Sequence, residues 1–452
     1  MKFMKFGKAL LIVALSVGVV LSVTSCVQSY TVGFLYVTGT ATAQSSGSGI
    51  ISGFKIDHNT GQLTTVNGLP IPSGGTNPGR AVLLNGSRFL YVLNRGSNAQ
   101  GGSVCTTANP CQNSNITQFT VGGNGILTSQ ETFYTQGFNP MRILSDGSGT
   151  YLFVLDHDAP DSNAYTGKNL TANSCTEALG GTTTSCGDIT VFSINSSTGR
   201  LSLVQNNQVT SANCPNNELS CPLTYFPVPA NPIDFLFSAS YILTLSGTPA
   251  TGDTVFPYAE ANGQLTVTQN SSQPMNIAQA TAIVSGGSYV YVLDNEPITA
   301  NGTLSYSQIL PFSLGTGGAL VPQTGGAVPD DPTLSNPIYL LVESKGKFAY
   351  VANQGNNTST TNAQSGLAGY VIDPTTHQLS YIAGEPFGTG AGPQCLVEDP
   401  SDQFIYTANF NDSTVTGRVV DPNSGVLNNF RVASSYALSG PPAWCLVDGR
   451  TN

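Results

Sequence analysis

The sequence predicts an all-β protein: a seven-bladed β-propeller of four-stranded antiparallel blades. Three observations carry the prediction. A tight turn followed by Leu recurs seven times, and an aromatic-rich apolar strand recurs seven times in step with it. The composition is that of a turn-rich β fold, with 50 Gly, 27 Pro and only 9% charged residues. Four short strands repeated at this spacing are the mark of radial repetition around a channel.

The chain opens with Lys2, Lys5 and Lys8 ahead of an apolar run from Ala9 to Val23. That run is too short for a span of about 20 residues and suits an export signal. It ends in Val23-Thr24-Ser25-Cys26, which resembles the lipobox of bacterial lipoproteins, where the Cys is lipidated and becomes the first mature residue. The expected organisation is a signal peptide over residues 1–25, lipidated Cys26 with a short tether over 26–33, and a propeller over 34–452. The protein is then anchored to the membrane through Cys26, on the periplasmic or surface side of a bacterial cell envelope. The net charge of −10 excludes tracking of a nucleic-acid backbone.

The repeat is read most easily from two marks. The turn appears as Thr60-Gly61-Gln62-Leu63, Asn124-Gly125-Ile126-Leu127, Thr198-Gly199-Arg200-Leu201 and four later copies. Its Gly supplies positive φ and its Leu enters the core. In the sixth copy, Thr376-His377-Gln378-Leu379, His377 replaces the Gly, and His58 lies in the first turn. The strand appears as Phe34-Leu35-Tyr36-Val37, Phe89-Leu90-Tyr91-Val92, Phe404-Ile405-Tyr406-Thr407 and four others. A further short strand precedes most copies, introduced by Pro78, Pro140, Pro232, Pro337 or Pro393. Each unit thus reads strand A, strand B, loop, strand C, turn, strand D. The first unit lacks its A strand, and the chain ends in an A-like strand, Ala443 to Val447. That C-terminal strand should complete blade 1 and close the ring.

Long insertions fall where loops B–C and D–A open: Arg95 to Asn115, His157 to Gly187, and Asn206 to Asn231. The opposite face should be plain. Nine Cys less Cys26 leave eight, an even number that fits an oxidising compartment. Cys105/Cys111, Cys175/Cys186 and Cys214/Cys221 each lie close together inside one insertion, and local disulfides would stiffen these loops. Cys395 falls on the inner strand of blade 7 and Cys445 on the closing strand that should neighbour it. Neighbouring inner strands lie roughly 6 Å apart, within disulfide reach, so these two are expected to pair. The second residue after each introducing Pro should point to the decorated mouth. Those residues are Arg80, Arg142, Asp234 and Tyr339, with Cys395 and then Trp444 or Cys445 in the last two strands.

Repeats such as Phe404-Ile405-Tyr406-Thr407-Ala408-Asn409 and Gly53-Phe54-Lys55-Ile56-Asp57…Thr60-Gly61-Gln62-Leu63 resemble the lactonase family of seven-bladed propellers, with its 6-phosphogluconolactonase-like and YVTN-repeat members. The resemblance covers nearly all of residues 31–449 and rests on blade-building residues. It implies carboxylic ester hydrolysis on a lactone. The family's Pro-His motif at the start of strand A is replaced here by Pro78-Gly79-Arg80, Pro140-Met141-Arg142, Pro232-Ile233-Asp234 and Pro393-Gln394-Cys395.

Two kinds of activity follow. In the first, the decorated mouth binds a small, sugar-derived or acidic ligand, or a partner's loop, with Arg80 and Arg142 supplying charge and Asp234, Tyr339 and Trp444 completing the site. In the second, His157, inside Asp156-His157-Asp158, is the general base of a lactone hydrolase, and the two Arg hold the substrate or its oxyanion. A third class, a protein-interaction scaffold, would show an apolar patch on one rim. Asp156, Asp158, Asp161 and Asn163 form an oxygen-rich run, but Pro160 breaks the spacing of a calcium loop. Polar residues end strand B at Asn94, Asp156, Ser246, Asp294, Asn353 and Asn409, as Asx-type turns or as a ligand ring. No phosphate loop, nucleophile elbow or zinc motif occurs, so neither a metal nor a cofactor is expected.

Overall fold

The computed structural model describes residues 30–42, 47–84, 86, 88–98, 111–211, 221–247, 252–287, 289–355 and 364–449. Its sheets form seven blades. Strand A of each blade touches strand A of the next, from Pro78–Leu83 round to Pro393–Glu398 and on to Pro442–Asp448, which touches the first again. The C-terminal strand Pro442–Asp448 pairs antiparallel with Thr31–Thr40, the B strand of blade 1, with Val37 opposite Cys445 and Thr38 opposite Trp444. Blade 1 is therefore built from both ends of the described chain, as expected. Its B strand begins at Thr31, ahead of the expected Phe34.

Five of the seven A strands are set by an Asn-Pro or Gly-Pro pair. Asn77, Asn139, Asn231, Asn336 and Gly392 hold positive φ, and the Pro that follows cannot donate to the ladder. The register slips directly after Pro78, Pro232, Pro337 and Pro393, a bulge that re-aims the side chains beyond it. At the other end of strand A, acid side chains cap the A–B turns. Asp146, Glu343 and Asp399 accept backbone N–H groups of Tyr151, Lys347 and Phe404 at 2.7, 2.6 and 2.8 Å.

Blades are stapled to their neighbours at the C–D turns. Tyr36 donates its hydroxyl to the Gly125 carbonyl at 2.9 Å, Tyr350 to Gly425 at 2.7 Å, and Tyr91 to Gly199. Tyr406 of blade 7 donates to Gly61 of blade 1 at 2.7 Å, across the closure. The turn Gly also lies flat on the aromatic ring that starts strand B of the preceding blade. A Cβ on Gly125 would sit 2.3 Å from the Phe34 ring. His377 keeps the left-handed conformation at φ 56 and packs its ring, tilted, against Tyr289 at 4.4 Å. His58 stacks on Tyr30 at 4.5 Å.

Three expectations on the insertions need correction. His157 does not open a loop, because strand B of blade 3 runs on from Tyr151 to Asp158. The segment from Asn206 is not a D–A loop. It interrupts strand D: Leu201–Leu203 pairs with one end of Cys186–Ile194, and Phe226–Pro229 returns to pair with the other. Between them Asn206–Ser211 and Cys221–Leu223 form a side hairpin. Strand D has one partner only, so an edge accommodates such an excursion. Blade 5 carries an insertion the sequence did not signal, the hairpin Ile298–Ala300 with Thr303–Ser305. Cys175–Cys186 and Cys395–Cys445 are disulfides, the latter with Cα atoms 5.9 Å apart. Cys111 and Cys221 are also disulfide-bonded, while Cys26, Cys105 and Cys214 lie outside the described residues.

Candidate functional site

The bulge after each Pro brings the predicted inner residues of five strands together. Asp234, fully buried, bridges two arginines: Arg80 Nη2 lies 3.1 Å from Oδ2 and Arg142 Nε 3.0 Å from Oδ1. Backbone N–H groups of Phe235 and Ile283 also donate to this carboxylate, at 2.9 and 3.4 Å. The Arg80 guanidinium lies over the Trp444 ring, 4.6 Å from its centroid. Tyr339 meets the same indole edge-on, with centroids 5.1 Å apart. The result is one layer across the channel: Arg142–Asp234–Arg80 over Trp444, with Tyr339 beside it.

A third cation adjoins the layer. Arg95 follows strand B of blade 2, runs its stem past Gly79, and donates Nε to the Pro140 carbonyl at 3.2 Å. Burial lowers the affinity of Arg142 for its proton to a pKa of about 10, and the charges of Arg80 and Arg95 add to this while Asp234 opposes it. Arg142 stays charged at neutral pH. Burial pushes the Tyr339 phenol up, so it remains a hydrogen-bond donor.

A cavity of about 890 Å³ fills the channel. Arg80, Tyr339 and Trp444 line one end, and Leu83, Gly287, Gly346, His377 and Gly449 line the other, at the plain rim. Arg80, Tyr339 and Trp444 are therefore the floor that a ligand in the channel would meet from the plain side, with Asp234 and Arg142 behind it. Sequence reasoning placed the pocket under the decorated loops instead.

His157 stands apart. Its Nδ1 lies 3.0 Å from Asp158 Oδ2, and Asn139 Nδ2 donates to the same oxygen at 2.6 Å. Among the described residues no hydrogen bond or ion pair joins His157 to Arg80 or Arg142. Asp161 is occupied by Ser174 and Tyr225, and Asn163 by Leu170. Among the described residues no group of three or more His, Cys, Asp or Glu could hold a metal. The polar residues ending strand B are all fully buried, which removes a ligand ring. Two of them reach strand C, while Asp294 accepts from the Glu296 backbone as in an Asx turn. Asn94 donates to Asn115 and Thr117, at 2.9 and 3.1 Å, and Asn409 to Thr414 and Thr416, both at 3.0 Å, all on strand C.

The same architecture recurs among known proteins. Residues 317–441, spanning the end of blade 5 to the end of blade 7, match the family model described as lactonase, seven-bladed β-propeller. This stretch is lactonase-like. A search of the curated proteins finds no match. Among solved structures, a candidate 6-phosphogluconolactonase of Bacteroides fragilis superposes with a TM-score of 0.62 at 15% identity, covering 92% of this chain and 98% of that one. The periplasmic gluconolactonase of Pseudomonas aeruginosa gives 0.61 at 17%, covering 92% and 99%. A hypothetical selenium-binding protein of Sulfolobus tokodaii gives 0.58 at 9%, covering 93% and 94%. At such identities these likenesses establish the lactonase-like propeller as a fold and leave its chemistry to the site.

Proposed function

We propose that this lactonase-like propeller is exported, lipid-anchored through Cys26, and binds a small anionic, sugar-derived ligand on the arginine floor of its channel. One observation carries the reading. Arg80 and Arg142 pair with a single carboxylate, Asp234, and Arg95 adds its charge beside Arg142, in a protein whose net charge is −10. Two positive charges are left over at a constricted, partly dry site, where a carboxylate or phosphate is held by charge-assisted hydrogen bonds. Trp444 and Tyr339 offer the faces on which a sugar ring stacks.

The lipobox-like run and the disulfides support the address. Trp444 is the sole tryptophan, so fluorescence excited selectively in tryptophan, beyond the tyrosine absorption edge, reports on the floor alone. Titration of residues 27–452 with gluconate, 6-phosphogluconate and gluconolactone should change that fluorescence, and Arg80→Ala should weaken binding about tenfold or more. No spectral change and no calorimetric heat with any of them would remove the proposal.

A second reading, lactone hydrolysis, is favoured by the Asp158–His157 pair. His157 would take a proton from water as the oxygen adds to the lactone carbonyl. The ring ester C–O bond then breaks and the leaving alkoxide regains the proton. Turnover of a lactone panel that His157→Ala leaves unchanged discards His157 as the base.

A further inference from the structure

Asp156 and Asp188 face each other across strands B and C of blade 3, directly opposite in register. Both are fully buried. Like charges so placed repel, and burying even one unpaired carboxylate is costly. Among the described residues no Lys, Arg or His pairs with either. The ionisable groups acting on them, Asp158, Asp161 and Tyr225, are all acids, and the neighbouring His157 is turned to Asp158.

Thr190 Oγ1 lies 3.3 Å from Oδ2 of both aspartates, yet Oδ1 of each has no hydrogen-bond partner. Gly137, just ahead of strand A, closes over the pair, since a Cβ there would fall 1.9 Å from Asp188 Oδ1. Three other blades fill this slot with an amide. In blades 2 and 7 the amides of Asn94 and Asn409 donate across it to side-chain oxygens on strand C. In blade 5 Gln308 donates to Asp294 at 2.8 Å. Blade 3 has the same slot with no side-chain amide in it, two carboxyl groups standing where the other blades place an amide and its acceptor.

We propose that Asp156 and Asp188 share one proton, the donor that an amide supplies in blades 2, 5 and 7, and that this proton fastens the root of the Cys175–Cys186 loop. Cys186 begins the strand that carries Asp188, and the returning strand D closes over it with Pro227 opposite Asp188. Burial raises both carboxyl groups well above the ordinary range, and hydrogen bonds from Thr135, Thr190 and the Gly137 amide offset this only in part. The unfolded chain ionises near the ordinary Asp value. The proton's contribution is therefore complete at acid pH and declines as pH rises towards the pair's own range, about tenfold in the folding constant per pH unit. Loss of the proton frees the loop.

The test uses Asp156→Asn and Asp188→Asn in the full-length protein, each restoring the amide of blade 2. Asp294 and Glu385 also titrate, so the difference between variant and parent is read. Both variants should match the parent near pH 4 and exceed its unfolding midpoint increasingly towards pH 8. Infrared spectra of the parent at pH 7 should show a buried carboxylic-acid carbonyl that Asp156→Asn removes. Parallel pH profiles, or no such band in the parent, would overturn the shared proton. So would calcium raising the midpoint of the parent but not of the variants, because a metal ion would then occupy the gap.

Discussion

Asp234 is the residue on which the candidate site depends. It is wholly buried, and both of its oxygens hold an arginine. Removing a buried partner leaves the remaining charges uncompensated, typically at about 3–5 kcal/mol. Asp234→Ala should lose a large part of that in urea unfolding, reduced somewhat because Arg80 and Arg142 keep 16% and 25% of their side-chain surface in water. Arg142→Ala should cost less, since Arg80 still neutralises Asp234. A loss from Arg142→Ala equal to that from Asp234→Ala would show that the carboxylate is not the hub. Glu385 offers a pH-dependent counterpart. Burial and the charges of Asp331 and Asp330 raise it to about 8. Its raised value means that the folded protein holds the proton more tightly than the unfolded chain, so stability falls as pH climbs from the ordinary glutamate range to about 8. Glu385→Gln should flatten that part of the profile without changing stability at pH 4.

The strand ends and turns are where sequence and packing meet. The turn glycines do two things at once, and a pair of substitutions separates them. Gly302 holds φ +80 with open space around it, so Gly302→Ala meets backbone strain alone, about 1–2 kcal/mol. Gly125 holds φ +81 and also lies against Phe34, so Gly125→Ala should cost about 1–3 kcal/mol more through overpacking. Equal losses in thermal unfolding would mean that the turn-to-ring contact yields easily. These elements were legible in the sequence because each rests on local chemistry: a Gly for positive φ, an Asn-Pro for a bulge, an aromatic at the start of strand B. The excursion inside strand D of blade 3 was not. A polar segment reads alike whether it joins two blades or leaves one strand and returns to it, and only the pairing of Phe226–Pro229 with strand C distinguishes them.

At the scale of the whole ring, closure uses three different bonds between chain segments far apart in sequence. They are the pairing of Pro442–Asp448 with Thr31–Thr40, the Tyr406–Gly61 hydrogen bond and the Cys395–Cys445 disulfide. The disulfide should contribute about 2–4 kcal/mol, and replacing both Cys with Ala should lower the unfolding midpoint without altering the folded spectrum. Tyr406→Phe should cost about 1–3 kcal/mol, because it strands a buried carbonyl. A native-like midpoint after both changes would mean that strand pairing alone closes the ring.

The amino-acid sequence by itself determined the number of blades, their strand order, the strand that closes them and the positions facing the channel. All of these repeat, and a repeated local signal is reinforced seven times. Only the tertiary structure decided what those channel positions do to one another. That Asp234 would lie between Arg80 and Arg142, that Arg95 would join them, and that the cavity would open to the plain rim depend on side chains from different blades meeting across the axis. Such contacts leave no periodic trace in the chain, because each is made once, by residues brought together by ring closure.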